Sequence, residues 1–382
     1  MKKKYALERI VPGSTFTADA YSEGNTVFAL AGVPVRERDL EGLRRWGITA
    51  VFSDGQLQEP AASRPQEDAT PAPAASLSAF ADRAMYTAYT DMVDRLKVIM
   101  DKIAASEQVE PKTVDRLAQD LIQVVRERES EVVGAILSSE AHGYETARAG
   151  VSCAIMSTVV GLTMKLPPHR LMHLAAGALL HDTGMLRIPA EIVGKKGTLT
   201  PEEAQKIKAH PLLSYRIITK ELQYPDDVGL VGLQHHERWD GDGYPRRTVG
   251  KDVDLLARIC SVVDAFEAMV SQKPYRNSMI GYVAIKNLLS DNSRRFDPDV
   301  LKAFVRSMGI YPIGSIVVLN NAAIGRVVDT HADAPLRPRL RLMVDEFGKH
   351  FKDDSGEMID LLSEKTLFIA KALDPKELAP RA

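Results

Sequence analysis

Cysteine is scarce: only Cys153 and Cys260 occur in 382 residues, both in apolar surroundings and without C-x-x-C spacing. That excludes a disulfide framework and leaves buried thiols in a reducing compartment as the expectation. Excess charge of either sign is also missing. The 49 basic and 51 acidic side chains leave a net charge of −2, which excludes a strongly basic nucleic-acid coat but not a local basic pocket. No run of about 18 uninterrupted apolar residues is present, so no membrane span is expected. Residues 1–9 are charged with no apolar stretch behind them, unlike a signal peptide. What remains is 45% hydrophobic residues, enough for a real core, in a chain longer than one domain of about 100–200 residues. Two or three folded units in the cytoplasm are expected, with no nucleic-acid polymer and no membrane as partner.

The organisation is uneven along the chain. Residues 1–56 alternate short β-rich runs (26–30 and 50–52) with a short helix over 37–46, and read as a small α/β module. Pro60, Pro65, Pro71 and Pro73, interleaved with Ala, Ser and Glu, make 57–80 an extended linker, because such a stretch buries too little apolar surface to fold. Over 81–137 two helices follow. Met85, Tyr89, Met92, Leu96, Ile99 and Ile103 recur at 4-3-4-3-4 spacing, a heptad seam that needs a partner helix. Pro111 opens the second helix, striped by Val114, Leu117, Leu121 and Val124. Periodicity leaves the seam's partner open between an intramolecular hairpin and a homodimer through 85–103. Helical patterns dominate 138–308, and a β-rich appendage over 309–376 ends in a short helix near 364–373.

Every candidate for chemistry falls in 138–308. His181-Asp182 ends an apolar helix, so an imidazole and a carboxylate meet at the edge of a dry core and can flank a metal or bridge two. His210 closes a helix whose start is marked by Thr200, Pro201 and Glu203 as a capping box. His235-His236 lead into a glycine-rich loop, and Asp264 lies in the apolar run 259–266, where an unpaired carboxylate is costly. Histidine mixed with carboxylate suits iron, manganese or zinc better than calcium or magnesium. His169 and His173 also stand four apart on a helix, but with no glutamate between them as in H-E-x-x-H they carry little weight as ligands.

Taken together, His181 to Gly184, Ile188-Pro189, Gly197 to Thr200, His210-Pro211, the HHExxDGxGYP string from His235 to Pro245, Asp264, Lys273 to Arg276 and Phe296 to Pro298 resemble the HD-GYP domain in order and spacing. The resemblance covers nearly half the chain. It implies a mainly α fold: a helical HD-type phosphohydrolase bundle, here with a small N-terminal α/β module and a β-rich C-terminal appendage. It further implies a bacterial phosphodiesterase with two or three divalent ions, commonly iron or manganese. Such an enzyme hydrolyses cyclic di-GMP to the linear dinucleotide or to GMP.

Position by position, the resemblance places metal ligands at His181, Asp182, His210, His235, His236 and Asp264, with Glu145 as an extra carboxylate for a third ion. His181 and Asp182 carry the catalytic role, and Gly243, Tyr244, Pro245, Lys273 and Arg276 contact the substrate. Two departures stand out. A histidine expected one turn after Glu145 is Ala149, and a phosphate-facing lysine expected after Gly184 is Met185. Loss of one such contact costs on the order of a hundredfold in rate. A degenerate domain that binds cyclic di-GMP or a protein partner is therefore the alternative. Arg187, two residues past Met185, is the nearest cation that could replace the missing charge, although a solvent-facing role is the expectation for it.

Overall fold

A computed structural model describes residues 3–11, 14–18, 20–21, 27–29, 35, 40, 50–58, 83–137, 145–195, 197–271, 281–290, 294–351 and 355–374. The helix expected over 37–46 lies outside them apart from Leu40, as does the linker beyond Gln58. The chain divides into two compact units, 1–73 and 74–382. In the first, β1 (Lys3–Ala6), β5 (Ala50–Ser53), β3 (Ala20–Tyr21) and β4 (Val27–Ala29) form an antiparallel sheet in that order. Leu57-Gln58, expected to begin the linker, instead forms β6 and pairs with β2 (Thr15–Phe16). Leu7, Ile10, Phe16, Ala20, Leu40 and Val51 fill this unit's own core.

The second unit is built on helices. Helix α1 (Arg83–Ala104) presents the whole heptad seam inward: Met85, Tyr89, Met92, Leu96, Ile99 and Ile103 are each no more than 3% exposed. Its partners are α2 (Pro111–Leu137) and α3 (Glu145–Thr163) of the same chain. The dimer reading of 85–103 is therefore corrected, because the seam is already covered within one chain and offers no apolar stripe to a second copy. Tyr89 closes the contact by a hydrogen bond to Ser152 Oγ at 2.9 Å. The hairpin and the helices after it also share one continuous core, running from Met85 to Met308. α2 breaks at Arg128 (φ −145°, ψ 48°), inside its charged stretch. α3 is long and apolar enough to cross a membrane by length and composition, but 83% of that window is buried within the protein, as befits a central core helix.

After α3 come α4 (Pro168–Leu180), the short α5 (Ala190–Val193), α6 (Pro201–Ile207), α7 (His210–Arg216), α8 (Asp226–Gln234), α9 (Leu255–Val270), α10 (Gly281–Ser290) and α11 (Pro298–Met308), of which α4, α9 and α11 pack against α3. The Thr200 capping box is present, with Glu203 N donating to Thr200 Oγ1 and Thr200 N to Glu203. His210, however, does not close that helix. α6 ends at Ile207, and His210 begins α7 after a two-residue break, which turns its ring inward. His169 and His173 serve structure: His173 Nδ1 meets Asp227 at 2.7 Å, and Arg170 ties Asp227 to Asp254, the N-cap of α9.

The C-terminal strands form one antiparallel sheet ordered β10 (Met358–Asp360), β9 (Arg339–Val344), β8 (Ile324–Asp329), β7 (Ile316–Leu319) and β11 (Ile369–Leu373). β11 replaces the short helix expected near 364–373. The free edge of β7 offers backbone hydrogen bonds that Ile369 to Leu373 take up, and pairing overrides the weak local helix preference of Ala, Lys and Leu. Val317, Val327, Leu340 and Leu361 form the sheet's own core, and Ser130 of α2 bonds Asp329 at 3.0 Å.

Candidate functional site

The site is assembled from helix ends. α4 delivers His181 at its C-cap, and the tight turn after it places Asp182 beside the start of α7. Gly184 makes this approach possible: a Cβ there would stand 2.1 Å from the carbonyl oxygen of His210, and its N–H donates to Ser214 Oγ at 2.8 Å. His210 opens α7, His235 caps α8 with His236 next to it, and Asp264 projects from α9.

Three imidazoles are oriented in the same way. Nδ1–H of His181, His210 and His235 each donates to the backbone carbonyl three residues back (Ala178, Ile207 and Gly232) at 2.7, 2.8 and 2.9 Å. A carbonyl can only accept, so each Nδ1 carries a proton and each Nε2 points into the site, where it can bind a metal when the ring is neutral. Nε2 of His210 and Nε2 of His235 lie 3.2 Å apart. Asp182 serves both sides: Oδ1 lies 3.2 Å from His210 Nε2 and 3.5 Å from His235 Nε2, while Oδ2 faces His181 Nε2 at 3.8 Å. His181 Nε2 also faces Asp264 at 3.6 Å, yet it is fully buried without a hydrogen-bond partner. The side chains of Asp182 and Asp264 are 28% and 21% exposed whereas His181 and His235 are sealed, so the site opens to solvent on its carboxylate side.

The charges fit a cation. Burial pulls the His181 imidazole down, but Asp182 and Asp264 outweigh it and lift the ring to about 9. Burial raises Asp264, and the His181 hydrogen bond and charge bring it down to about 2; Asp182 is held well below the usual carboxylate range in the same way. Burial lowers His235 and His236, which favours the neutral rings that metals require. Converging imidazole lone pairs, an orphaned buried nitrogen and two ionised carboxylates form a donor set that suits a divalent transition metal. The donor atoms of Asp182, His210, His235 and His236 lie within 4.8 Å of one another, and so do those of Cys153, His181 and Asp264.

The glycine loop walls one side. A Cβ on Gly243 would sit 2.4 Å from Arg238 N and 2.6 Å from His236 O, so only glycine lets the chain fold back here. Glu237, 3% exposed, accepts from the N–H groups of Arg246 and Thr248 at 2.7 and 3.1 Å, and Trp239 N and Asp240 N donate to the carbonyls of Arg295 and Arg294. These bonds hold Tyr244 stacked on His236, ring centroids 4.8 Å apart, with Pro245 beyond it at the exposed rim. Burial, then Asp182 and Asp264, push the Tyr244 phenol up, so it remains a donor at neutral pH. Lys208 Nζ rests 5.6 Å from the Tyr244 ring centroid.

The structure thus brings together His181, Asp182, His210, His235, His236 and Asp264, with Gly243 and Tyr244 alongside. Glu145 is the first residue of α3 and its side chain lies outside the described atoms; Lys273 and Arg276 lie outside the described residues. Ala149 is buried on α3, and Met185 is half-buried in the turn after Asp182. Arg187 does not replace the lysine. It is engaged by Glu221 at 3.0 Å and by Ala104 O and Ser106 Oγ at 3.2 and 3.0 Å. Sequence reasoning passed over Cys153 and Lys208. The signal for Cys153 was its spacing of four from Ala149, one helical turn along the same face; for Lys208 it was proximity to His210.

Residues 131–300 match the HD domain, and 316–381 match the KOW domain associated with HD domain. A cyclic di-GMP phosphodiesterase of Pseudomonas aeruginosa is 35% identical over 190 residues, 50% of this chain and 45% of that protein. The cyclic di-GMP phosphodiesterase response regulator RpfG of Xanthomonas campestris is 36% identical over 188 residues, 48% of this chain and 49% of that one. The chain spans about half the length of these curated relatives. Among solved structures, a HDG"Y"P protein from Bdellovibrio bacteriovorus superposes with a TM-score of 0.48 at 15% identity, covering 80% of this chain and 98% of that one, too loosely to bear on the site. Residues 131–300 thus carry a match to the HD domain, and over the helical unit the chain is similar to these cyclic di-GMP phosphodiesterases.

Proposed function

We propose that this chain is a metal-dependent phosphodiesterase that hydrolyses cyclic di-GMP to the linear dinucleotide or to GMP. One observation carries the reading: the two oxygens of Asp182 face two different groups of imidazoles, as a carboxylate shared between two ions must. His181 and Asp264 would hold one ion, His210 and His235 the other, and His236 with Glu145 would contribute to a third. Iron or manganese is the expected metal, on the mixed histidine and carboxylate donor set. When bound, such ions supply Lewis acidity toward a phosphodiester and make water a stronger acid.

The chain's own residues do the rest. Nδ1–H bonds to backbone carbonyls aim the Nε2 atoms of the three rings into the site before any ion arrives, so little reorientation is needed. Tyr244 and the loop around Gly243 and Pro245 shape the side of the pocket. The protonated Tyr244 phenol can donate to a phosphate oxygen, and Lys208, Lys273 and Arg276 offer positive charge. The helical domain over 138–308 is read as the catalytic part, working in the cytoplasm, with 1–56 and 309–376 as accessory modules.

A degenerate domain that binds cyclic di-GMP or a protein partner without turnover is the second reading, favoured by Ala149, Met185 and the engagement of Arg187 elsewhere. Two retained acids held close together in a largely enclosed site weigh against it, because such carboxylates without a cation destabilise a fold. The test is turnover of cyclic di-GMP by protein loaded with iron or manganese, followed by chromatography of the products. Linear dinucleotide or GMP supports the enzyme; binding without product supports the degenerate reading.

A further inference from the structure

Cys153 lies fully buried on α3, and its Sγ is within 4.8 Å of a ring nitrogen of His181 and a carboxylate oxygen of Asp264. Buried thiols usually pack among apolar side chains as small hydrophobes. Here the polar neighbours are an imidazole and a carboxylate, and Nε2 of that imidazole is a sealed nitrogen with no hydrogen-bond partner. Since His181 Nδ1 is committed to the Ala178 carbonyl, Nε2 is the atom left to bind an ion. An ion about 2.3 Å from sulfur and about 2.1 Å from nitrogen needs those two atoms within about 4.4 Å of each other, slightly inside the 4.8 Å that encloses this cluster.

We infer that Cys153 is a thiolate ligand of the ion held by His181 and Asp264. With Asp182 Oδ2 as the fourth donor, one sulfur, one nitrogen and two oxygens surround that ion. On binding, the thiol proton leaves to water and the sulfur–metal bond forms, with no change of oxidation state. The helix face that carries alanine at position 149 thus carries a ligand one turn further on. Sulfur makes this half of the site softer than the half built from His210 and His235, which favours iron, cobalt or zinc over magnesium or manganese there. The inference rests on the metal reading above and adds a donor to it.

Cobalt(II) substitution of the full chain tests it. Metal-free protein titrated with cobalt should develop a thiolate-to-cobalt charge-transfer band in the near ultraviolet alongside the visible ligand-field bands. Cys153→Ser should lose the charge-transfer band and bind cobalt at least about tenfold more weakly, while Cys260→Ser keeps both. Circular dichroism of each variant checks that the fold is retained, and the wild-type spectrum is decisive without any variant. Ligand-field bands without the charge-transfer band, or a band unchanged in Cys153→Ser, overturn the cysteine assignment alone. No cobalt uptake at all overturns it together with the metal reading.

Discussion

The two halves of the candidate site are built differently. On one side, His210, His235 and His236 come from adjacent helix ends, and the first two are aimed by backbone carbonyls. On the other, His181 and Asp264 face α3, whose stripe of Glu145, Ala149 and Cys153 includes an alanine where the family resemblance expects histidine. The nearby turn carries Met185 in place of lysine. The departures therefore cluster on α3 and the turn after Asp182, while the imidazole side is intact. Asp182 touches both halves, and its loss should act on both.

The largest expected effect follows from that shared carboxylate. Asp182→Ala should strip metal from both halves and lower cyclic di-GMP turnover by at least about a thousandfold, or ~4 kcal/mol in the barrier. Elemental analysis beside a product assay checks it, and unchanged metal content would break the comparison. Next in size is a stability effect. Leu96→Asp puts a charge into a fully buried seam and should destabilise the helical unit by about 3–5 kcal/mol, seen as a lowered Tm. A well-folded variant that only loses a dimer would restore the intermolecular reading of α1. Smaller again, Ala149→His with Met185→Lys should raise turnover roughly tenfold to a hundredfold, by completing a donor set and adding charge toward the phosphate. No gain would place the divergence elsewhere in the pocket. The smallest is Lys208→Ala, expected to raise KM about threefold to tenfold with little change in kcat, and Lys208→Arg should rescue it.

Much of the candidate site was legible because its candidate ligands sit where local sequence already looks unusual: a His-Asp pair ending an apolar helix, paired histidines before a glycine loop, and an acid inside an apolar run. Helix starts marked by Pro111 and the Thr200 box were legible for the same local reason. What escaped depends on three-dimensional placement. That α1 meets α2 and α3 rather than a second copy is a matter of partner choice, which a heptad pattern does not encode. β11 forms because β7 leaves an edge to pair with, a fact distant in sequence. The break between Ile207 and His210 moves a candidate ligand from the end of one helix to the start of the next. Cys153 reads as an ordinary core thiol until His181 and Asp264 are folded against it.

The most direct test of the central claim, two ion sites joined by Asp182, is metal stoichiometry in two proteins. Wild type reconstituted with iron or manganese should hold at least two ions per chain, and the double variant His210→Ala with His235→Ala should retain one, at His181 and Asp264. A wild type that holds at most one ion under every loading condition, or a double variant that keeps the full complement, would contradict the account.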